Sequence, residues 1–191
     1  EVAVVVELKA RFDEAANIDI ASRLQAAGAQ VVYGIVGFKT HAKILMVVRR
    51  EGERLRRYVH LGTGNYHTGT ARLYTDFSLL TADADLAEQV HLVFQQLTGI
   101  GEAKRHKDLI QSPFYFASEI VDQLNREAEE ARLGRPALAV IKINSLSDPS
   151  LIEAIYHASR AGVHIHLIVR GICCLTPQVS EVSDHIYVRS I

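Results

Sequence analysis

The hydrophobic positions of this chain follow two periods. Short β-branched runs mark buried strands, and 3.6-residue spacing marks helices between them. Val2 to Leu8 is a β-branched run long enough for a buried strand. Asp13 can cap a following helix with Ala15, Ala16, Ile20, Leu24 and Ala27 on its apolar stripe, and Gly28 stops it. Gln30 to Val36 reads as a second buried strand. Lys43 to Arg50 and Leu55 to Leu61 read as an antiparallel hairpin around Glu51-Gly52. Ala84 to Leu97 has helical spacing, with Leu86, Val90, Val93, Phe94 and Leu97 apolar. Ser118 to Leu133 reads as a helix rich in Glu and Arg, ended by Gly134-Arg135-Pro136.

The pattern repeats. An ungapped shift of 134 residues places Ala3 on Ala137, Ala27-Gly28 on Ala161-Gly162, Val31 on Ile165 and Gly37 on Gly171. Leu138 to Ile143 reads as a strand and Val163 to Val169 as the next. Between them Asp148-Pro149 opens a helix whose buried side carries Ile152, Ile155, Tyr156 and Ala158. The strand–helix–strand unit at 2–37 therefore recurs at 136–171, which predicts two related α/β domains. The boundary falls between 1–107 and 108–191.

Composition changes this picture little. The 191 residues are 48% hydrophobic and 23% charged, which supports a real core, and a net charge of −1 argues for no partner by bulk charge. Local charge differs. Lys39, Lys43, Arg49, Arg50, Arg54, Arg56 and Arg57 face only Glu51 and Glu53 between positions 39 and 57. That stretch is either a solvated hairpin tip or a landing zone for a polyanion. Cys173 and Cys174 are adjacent and build no disulfide framework, which points to a reducing compartment. No stretch has the ~18 apolar residues of a membrane span. The chain starts at Glu1 on an apolar run and ends at Ile191 without a closing signal, so it reads as an excised fragment of a longer protein.

Candidate chemistry gathers at Lys39-Thr40-His41-Ala42-Lys43 and Gly62-Thr63-Gly64-Asn65. His and Lys at i and i+2 of an extended segment share a face. An imidazole beside an ammonium, near a Gly-rich turn offering backbone N–H groups, suits nucleophilic attack on phosphorus. The cation and the amides would hold the phosphoryl oxygens.

Several segments together resemble type 1 polyphosphate kinase. They are Glu7 to Asn17, Lys39 to Lys43, His60 to Tyr66, Thr70 to Asp76, Leu79 to Asp83 and Val169 to Leu175, in the same order from end to end. The resemblance implies the two C-terminal catalytic domains of that family. The implied fold is α/β, with duplicated phospholipase D-like mixed-sheet units, flanking helices and an incomplete second unit. The implied reaction is reversible transfer of the ATP terminal phosphate to a polyphosphate chain through a phosphohistidine. Implied cofactors are ATP and Mg2+. The implied partners are inorganic polyphosphate and ATP or ADP, not nucleic acid. The parent is expected to be a cytoplasmic homo-oligomer, peripheral to the inner membrane face. The wider phospholipase D pattern places Asp five residues after the Lys and a Gly-Ser-x-Asn later. Here those positions hold Val48 and Gly62-Thr63-Gly64-Asn65, which fits the kinase branch.

On this resemblance His41 is the nucleophile, against the alternative of a core histidine. Lys43 holds phosphoryl oxygens, or is a surface strand lysine. Arg11 belongs to the phosphate and Mg2+ site. A guanidinium has no lone pair for a metal, so it would touch phosphate oxygens that hold the ion; the alternative is an ion pair with Asp13 or Glu14. Tyr74 matches an ATP-contacting tyrosine, or is a half-buried core residue. Arg170 is assigned to ATP phosphates, or to a structural salt bridge. Asn65 either orients His41 or shapes its turn. His164 and His166 alternate on a strand, but without a third ligand they read as exposed residues rather than a metal site. His60, His67, His91, His106, His157 and His185 carry no motif signal.

Three function classes follow. The first is an ATP:polyphosphate phosphotransferase, whose second active-site His would lie beyond Ile191, so that the fragment alone is inactive. The second is a phospholipase D-type phosphodiesterase or nuclease, which Val48 opposes. The third is a non-catalytic module for nucleotides or polyanions.

Overall fold

The computed structural model describes residues 1–7 and 14–191. The stretch 8–13, which includes Arg11 and the expected cap Asp13, lies outside the described residues. The chain divides into two compact α/β units, Glu1–Leu109 and Ile110–Ile191.

In the first unit β1 (Ala3–Val5) pairs in parallel with β2 (Gln30–Val32), and α1 (Glu14–Ala26) connects them. The inward line of α1 is not the expected alanine and isoleucine stripe. Ala21 alone is buried, flanked by half-buried Asn17 and Leu24, while Ile20 is 46% exposed. Hydropathy misses Asn17 because its reason is polar: Nδ2 donates to the Glu7 carbonyl at 2.7 Å. The second strand is also shorter than its apolar run. Gly34 adopts φ 71° and a Cβ there would meet Thr40 Oγ1 at 2.6 Å, so the chain turns away and leaves Val36 97% exposed.

The rest of this unit is an antiparallel sheet. β3 (Lys43–Glu51) and β4 (Arg54–Gly62) form a hairpin closed by Gly52-Glu53, and β5 (Ser78–Thr81) follows β4 at the edge. The register pairs Lys43 with Gly62, Glu51 with Arg54, and Gly62 with Ser78. Alternation then sets the faces. Ile44, Met46, Val59 and Leu61 turn toward α3 (Ala84–Leu97), where Val59, Ala87 and Val90 are buried. Full burial stabilises by about 1.5–3 kcal/mol per large aliphatic side chain. Asp83 caps α3 by accepting from Leu86 N at 2.9 Å. Buried Gln89 is satisfied: its amide donates to Asp108 Oδ2 and its carbonyl oxygen accepts from Asp108 N and Leu109 N. Lys43, Leu45, Val47, Arg49, Arg56, Tyr58, His60 and Ser78 occupy the opposite face. A short helix, α2 (Thr68–Ala71), lies between β4 and β5.

The second unit opens with α4 (Phe116–Arg132) and builds a parallel sheet from β6 (Leu138–Ile143), β7 (His164–Val169) and β8 (Ile186–Ser190), in that order. α5 (Pro149–Arg160) connects β6 to β7, capped by Asp148, which accepts from Leu151 N at 3.0 Å. Leu124, Ala128, Ile155, Ala158, Ile165, Leu167 and Ile186 share one core between the helices and the sheet. The strand–helix–strand unit read at both ends of the sequence is present in both units, as β1–α1–β2 and β6–α5–β7. No helix among the described residues is long and apolar enough to cross a membrane.

Candidate active site

The candidate site lies at one end of the β3–β4–β5 sheet. Pairing puts Lys43, Gly62 and Ser78 in a row across three strands. His41 stands two residues before Lys43, in the loop entering β3. Two contacts fix that loop. Glu7, just past β1, accepts from Thr40 N through Oε2 at 2.7 Å, and Lys43 Nζ donates to the His41 carbonyl at 2.5 Å. The nucleophile candidate is thus held from the parallel strand pair on one side and from the hairpin on the other.

The charges around His41 favour its neutral form. Its pKa lies below the ordinary histidine value because the surrounding protein removes water, and because Lys43 and then Lys39 repel a second positive charge. Although the ring is exposed by area, enough protein surrounds it for desolvation to be the leading cause. A neutral imidazole keeps the lone pair that attack requires. The Lys43 pKa is also lowered, by desolvation first; the Asp76 carboxylate opposes this, and Lys39 adds to the lowering.

Asp76 also braces the Gly-rich turn. Thr63 Oγ1 donates to Asp76 Oδ1 at 2.9 Å and accepts from Phe77 N at 2.9 Å, while Thr63 N donates to the Phe77 carbonyl at 3.0 Å. Gly64 touches the same carboxylate so closely that a Cβ would lie 2.2 Å from Asp76 Oδ2. The N–H groups of Gly64 and Asn65 have no hydrogen-bond partner among the described residues. They are donors available to an anion. Asn65 accepts from His67 N through its carbonyl at 2.8 Å, and its side chain makes no hydrogen bond among the described residues. Of the two roles expected for it, the turn is the one with a contact.

Sequence reasoning passed over His60, which shares this face. Its Nδ1 lies 2.6 Å from Tyr66 Oη, and its Nε2 is hydrogen-bonded to Ser78 Oγ. With both ring nitrogens engaged, His60 has no free lone pair. The His41 side chain makes no hydrogen bond among the described residues. That contrast separates the two imidazoles chemically. The signal for His60 lay in pairing, since Gly62 and Ser78 become neighbours only once β5 docks. Glu7 and Asp76 were missed for the same reason.

Tyr74 follows α2, with its N–H donating to the Thr70 carbonyl at 3.1 Å and its side chain 56% exposed. It is not the half-buried core residue of the alternative reading. Arg170 is in the second unit, just past β7, where its N–H donates to the Ile143 carbonyl at 3.2 Å. Its side chain is exposed and makes no ion pair among the described residues. Arg11 lies outside the described residues. Val48 sits on the sheet face opposite Lys43, paired with Arg57. His164 and His166 are exposed; the first ring lies 4.9 Å from His185 and the second stacks on Tyr187 at 5.1 Å. No group of three His, Cys, Asp or Glu that could hold a metal occurs among the described residues.

Comparison with known proteins covers the whole chain. The profile described as "Polyphosphate kinase C-terminal domain 1" matches residues 1–103, and "Polyphosphate kinase C-terminal domain 2" matches residues 109–191. A polyphosphate kinase of Pseudomonas aeruginosa is 58% identical over 191 residues, all of this chain and 28% of that protein. One of Neisseria meningitidis is 53% identical, again over all of this chain and 28% of its own length. The crystal structure of polyphosphate kinase from Porphyromonas gingivalis superposes with a TM-score of 0.84 at 38% identity, covering all of this chain and 32% of that one. The chain therefore spans a little over a quarter of the curated relatives it matches.

Proposed function

Since this chain belongs to the polyphosphate kinase C-terminal domain family, we propose that it carries the phosphoryl-accepting histidine of an ATP:polyphosphate phosphotransferase. The observation that carries this reading is the unbonded His41 imidazole, its neutral form favoured beside Lys43, whose strand partner Gly62 leads into a turn with free N–H groups. A His41 nitrogen attacks the terminal phosphorus of ATP. The bond from that phosphorus to the bridging oxygen breaks, and its electron pair leaves on ADP. The terminal oxygen of a polyphosphate chain then attacks the phosphoimidazole. The P–N bond breaks, and its electrons return to the ring. Lys43 and the Gly64 and Asn65 amides stabilise charge on the equatorial oxygens in both steps.

On this reading Asn65 acts through its backbone, Tyr74 offers a ring for adenine, and Arg170 and Arg11 offer guanidinium forks to nucleotide phosphates. Mg2+ would arrive with the nucleotide. The described residues offer it no donor cluster, and Asp76 already accepts from Thr63, so no step is assigned to the metal. The reading extends to a cytoplasmic, homo-oligomeric parent at the inner membrane face, on the resemblance.

The test uses the full-length protein that contains this chain. Incubation with γ-labelled ATP should leave acid-labile, alkali-stable label on the peptide carrying His41, and His41→Ala should carry none. Label on His60 or Ser78 would refute the assignment.

A further inference from the structure

The hairpin that ends at Lys43 carries a second cluster of positive charge on the same face. Register places Arg49 directly opposite Arg56, and Arg54 opposite Glu51, all on the side of the sheet that carries Lys43 and His60. Arg50 and Arg57 point to the other side, and Arg57 is engaged there by Glu88 at 2.8 Å. Of the run of arginines in the sequence, three thus face the same way as Lys43.

These three are poorly neutralised. Arg49 and Arg54 make no ion pair among the described residues. Arg56 has a loose contact of 3.6 Å to Glu51 and lies over the Tyr58 ring at 5.3 Å. Glu51 is itself shared, since Tyr58 Oη donates to it at 2.7 Å. Like charges directly opposite on neighbouring strands are destabilising. An anion laid between Arg49 and Arg56 removes that cost.

Between this cluster and Lys43 the face carries no Lys, Arg, Asp or Glu on the hairpin, only Leu45, Val47, Tyr58 and His60. Six strand positions separate Lys43 from Arg49, about 20 Å at the rise of an extended chain. The two charged ends are therefore separate anchors, and a short anion can reach only one.

We propose that Arg49, Arg54 and Arg56 form a distal anchor for long-chain polyphosphate whose end lies at Lys43. The inference rests on the function proposed above and adds how the chain would select polymer length. A polymer long enough to touch both anchors gains from the high effective concentration of its second contact, whereas an oligomer does not. Polyphosphate fits better than nucleic acid because the face between the anchors offers few rings for base stacking: Tyr58 lies under Arg56, and the His60 ring is held by Tyr66 and Ser78.

The test is equilibrium binding of the full-length protein that contains this chain to fluorescently labelled long-chain polyphosphate and to tripolyphosphate, across a salt series. Replacing all three arginines by Gln should weaken long-chain binding about tenfold and lower the log–log salt slope by about two, from ~0.7 per released counterion. Tripolyphosphate binding at Lys43 should stay within about twofold. Replacing all three by Lys, which keeps the charge, should retain long-chain binding. Glu51→Gln should tighten it. Circular dichroism verifies that each variant is folded. Unchanged long-chain binding in the Gln variant, together with weakened binding in Lys43→Ala, would overturn the distal anchor alone. Failure of the full-length wild-type protein to bind either anion would overturn both this proposal and the function beneath it. Tighter binding of a single-stranded DNA homopolymer, lost in the Gln variant, would overturn the choice of polyphosphate.

Discussion

Replacing Gly64 by Ala should damage the candidate site through one atom. A Cβ at Gly64 would lie 2.2 Å from Asp76 Oδ2, 2.5 Å from its Cγ and 3.0 Å from its Cβ. Ordinary contact needs about 3.5 Å, so the carboxylate must retreat by about 1 Å. Retreat breaks the 2.9 Å bond from Thr63 Oγ1 and takes away the negative charge that favours protonated Lys43. Asp76 is exposed and can rotate, so the strain falls at the low end of the ~1–3 kcal/mol typical of overpacking. The expected loss is about 1 kcal/mol, or roughly 4 °C in the thermal midpoint of a unit this size. Phosphohistidine formation in the full-length protein should fall about tenfold, the equivalent of ~1.4 kcal/mol of lost charge stabilisation. The double-mutant cycle is decisive. In an Asp76→Ala background the carboxylate is gone and only the 3.0 Å contact with the residue-76 Cβ remains, so Gly64→Ala should cost clearly less by circular dichroism melting. An equal cost in both backgrounds would refute the clash and the role given to Asp76.

Further outcomes follow from the same geometry. His41→Ala should abolish labelling by ATP, while Lys43→Ala should leave a weak rate, since a lost charge is milder than a lost nucleophile; equal loss in both would contradict the division of roles. The His41 pKa is depressed, so the neutral, reactive form dominates above about 6.5 and labelling should fall only below it. Removing the positive charge of Lys43 raises that pKa, so the acid limb of residual labelling should move to higher pH in Lys43→Ala; a move to lower pH would refute the electrostatic account. Glu7→Ala removes the acceptor for Thr40 N and should slow labelling without changing the acid limb; a shifted limb would mean that Glu7 acts by charge on His41 rather than by holding its loop.

What was legible in the sequence was what hydropathy and capping can encode. The hairpin, α3 and the β6–α5–β7 unit appear within a few residues of the read boundaries, because alternation, Asp83 and Asp148-Pro149 are local signals. Val36 was misread because an apolar run looks like a strand whether or not a neighbour pairs with it. The turn at Gly34 ends that pairing, through its positive φ and its contact with Thr40. Asn17 took an inward place in α1 that no apolar pattern assigns. In the site, His41, Lys43 and the Gly-rich turn were visible as motifs. Glu7, His60, Asp76 and Ser78 were not, since each acts on a partner 13 to 33 positions away.

The arrangement also explains why a nucleophile and its cation would sit on different kinds of backbone. Lys43 begins a nine-residue strand paired along its length with β4, so its position is set by a ladder of hydrogen bonds. His41 lies outside that ladder, two residues earlier, restrained by Glu7 at Thr40 and by Lys43 at its own carbonyl. A phosphorylated imidazole must first accept a phosphoryl group from one substrate and then present it to another. A ring on a tethered loop can adjust to both while the fixed ammonium and the turn amides keep the oxygens in place. His60 illustrates the opposite case. It lies within β4, with Tyr66 and Ser78 holding its two nitrogens, so its ring is braced and its lone pair engaged. Between two imidazoles at the same sheet end, strand placement and saturated hydrogen bonding make one a support. Loop placement and a free ring suit the other to the reacting role proposed for it.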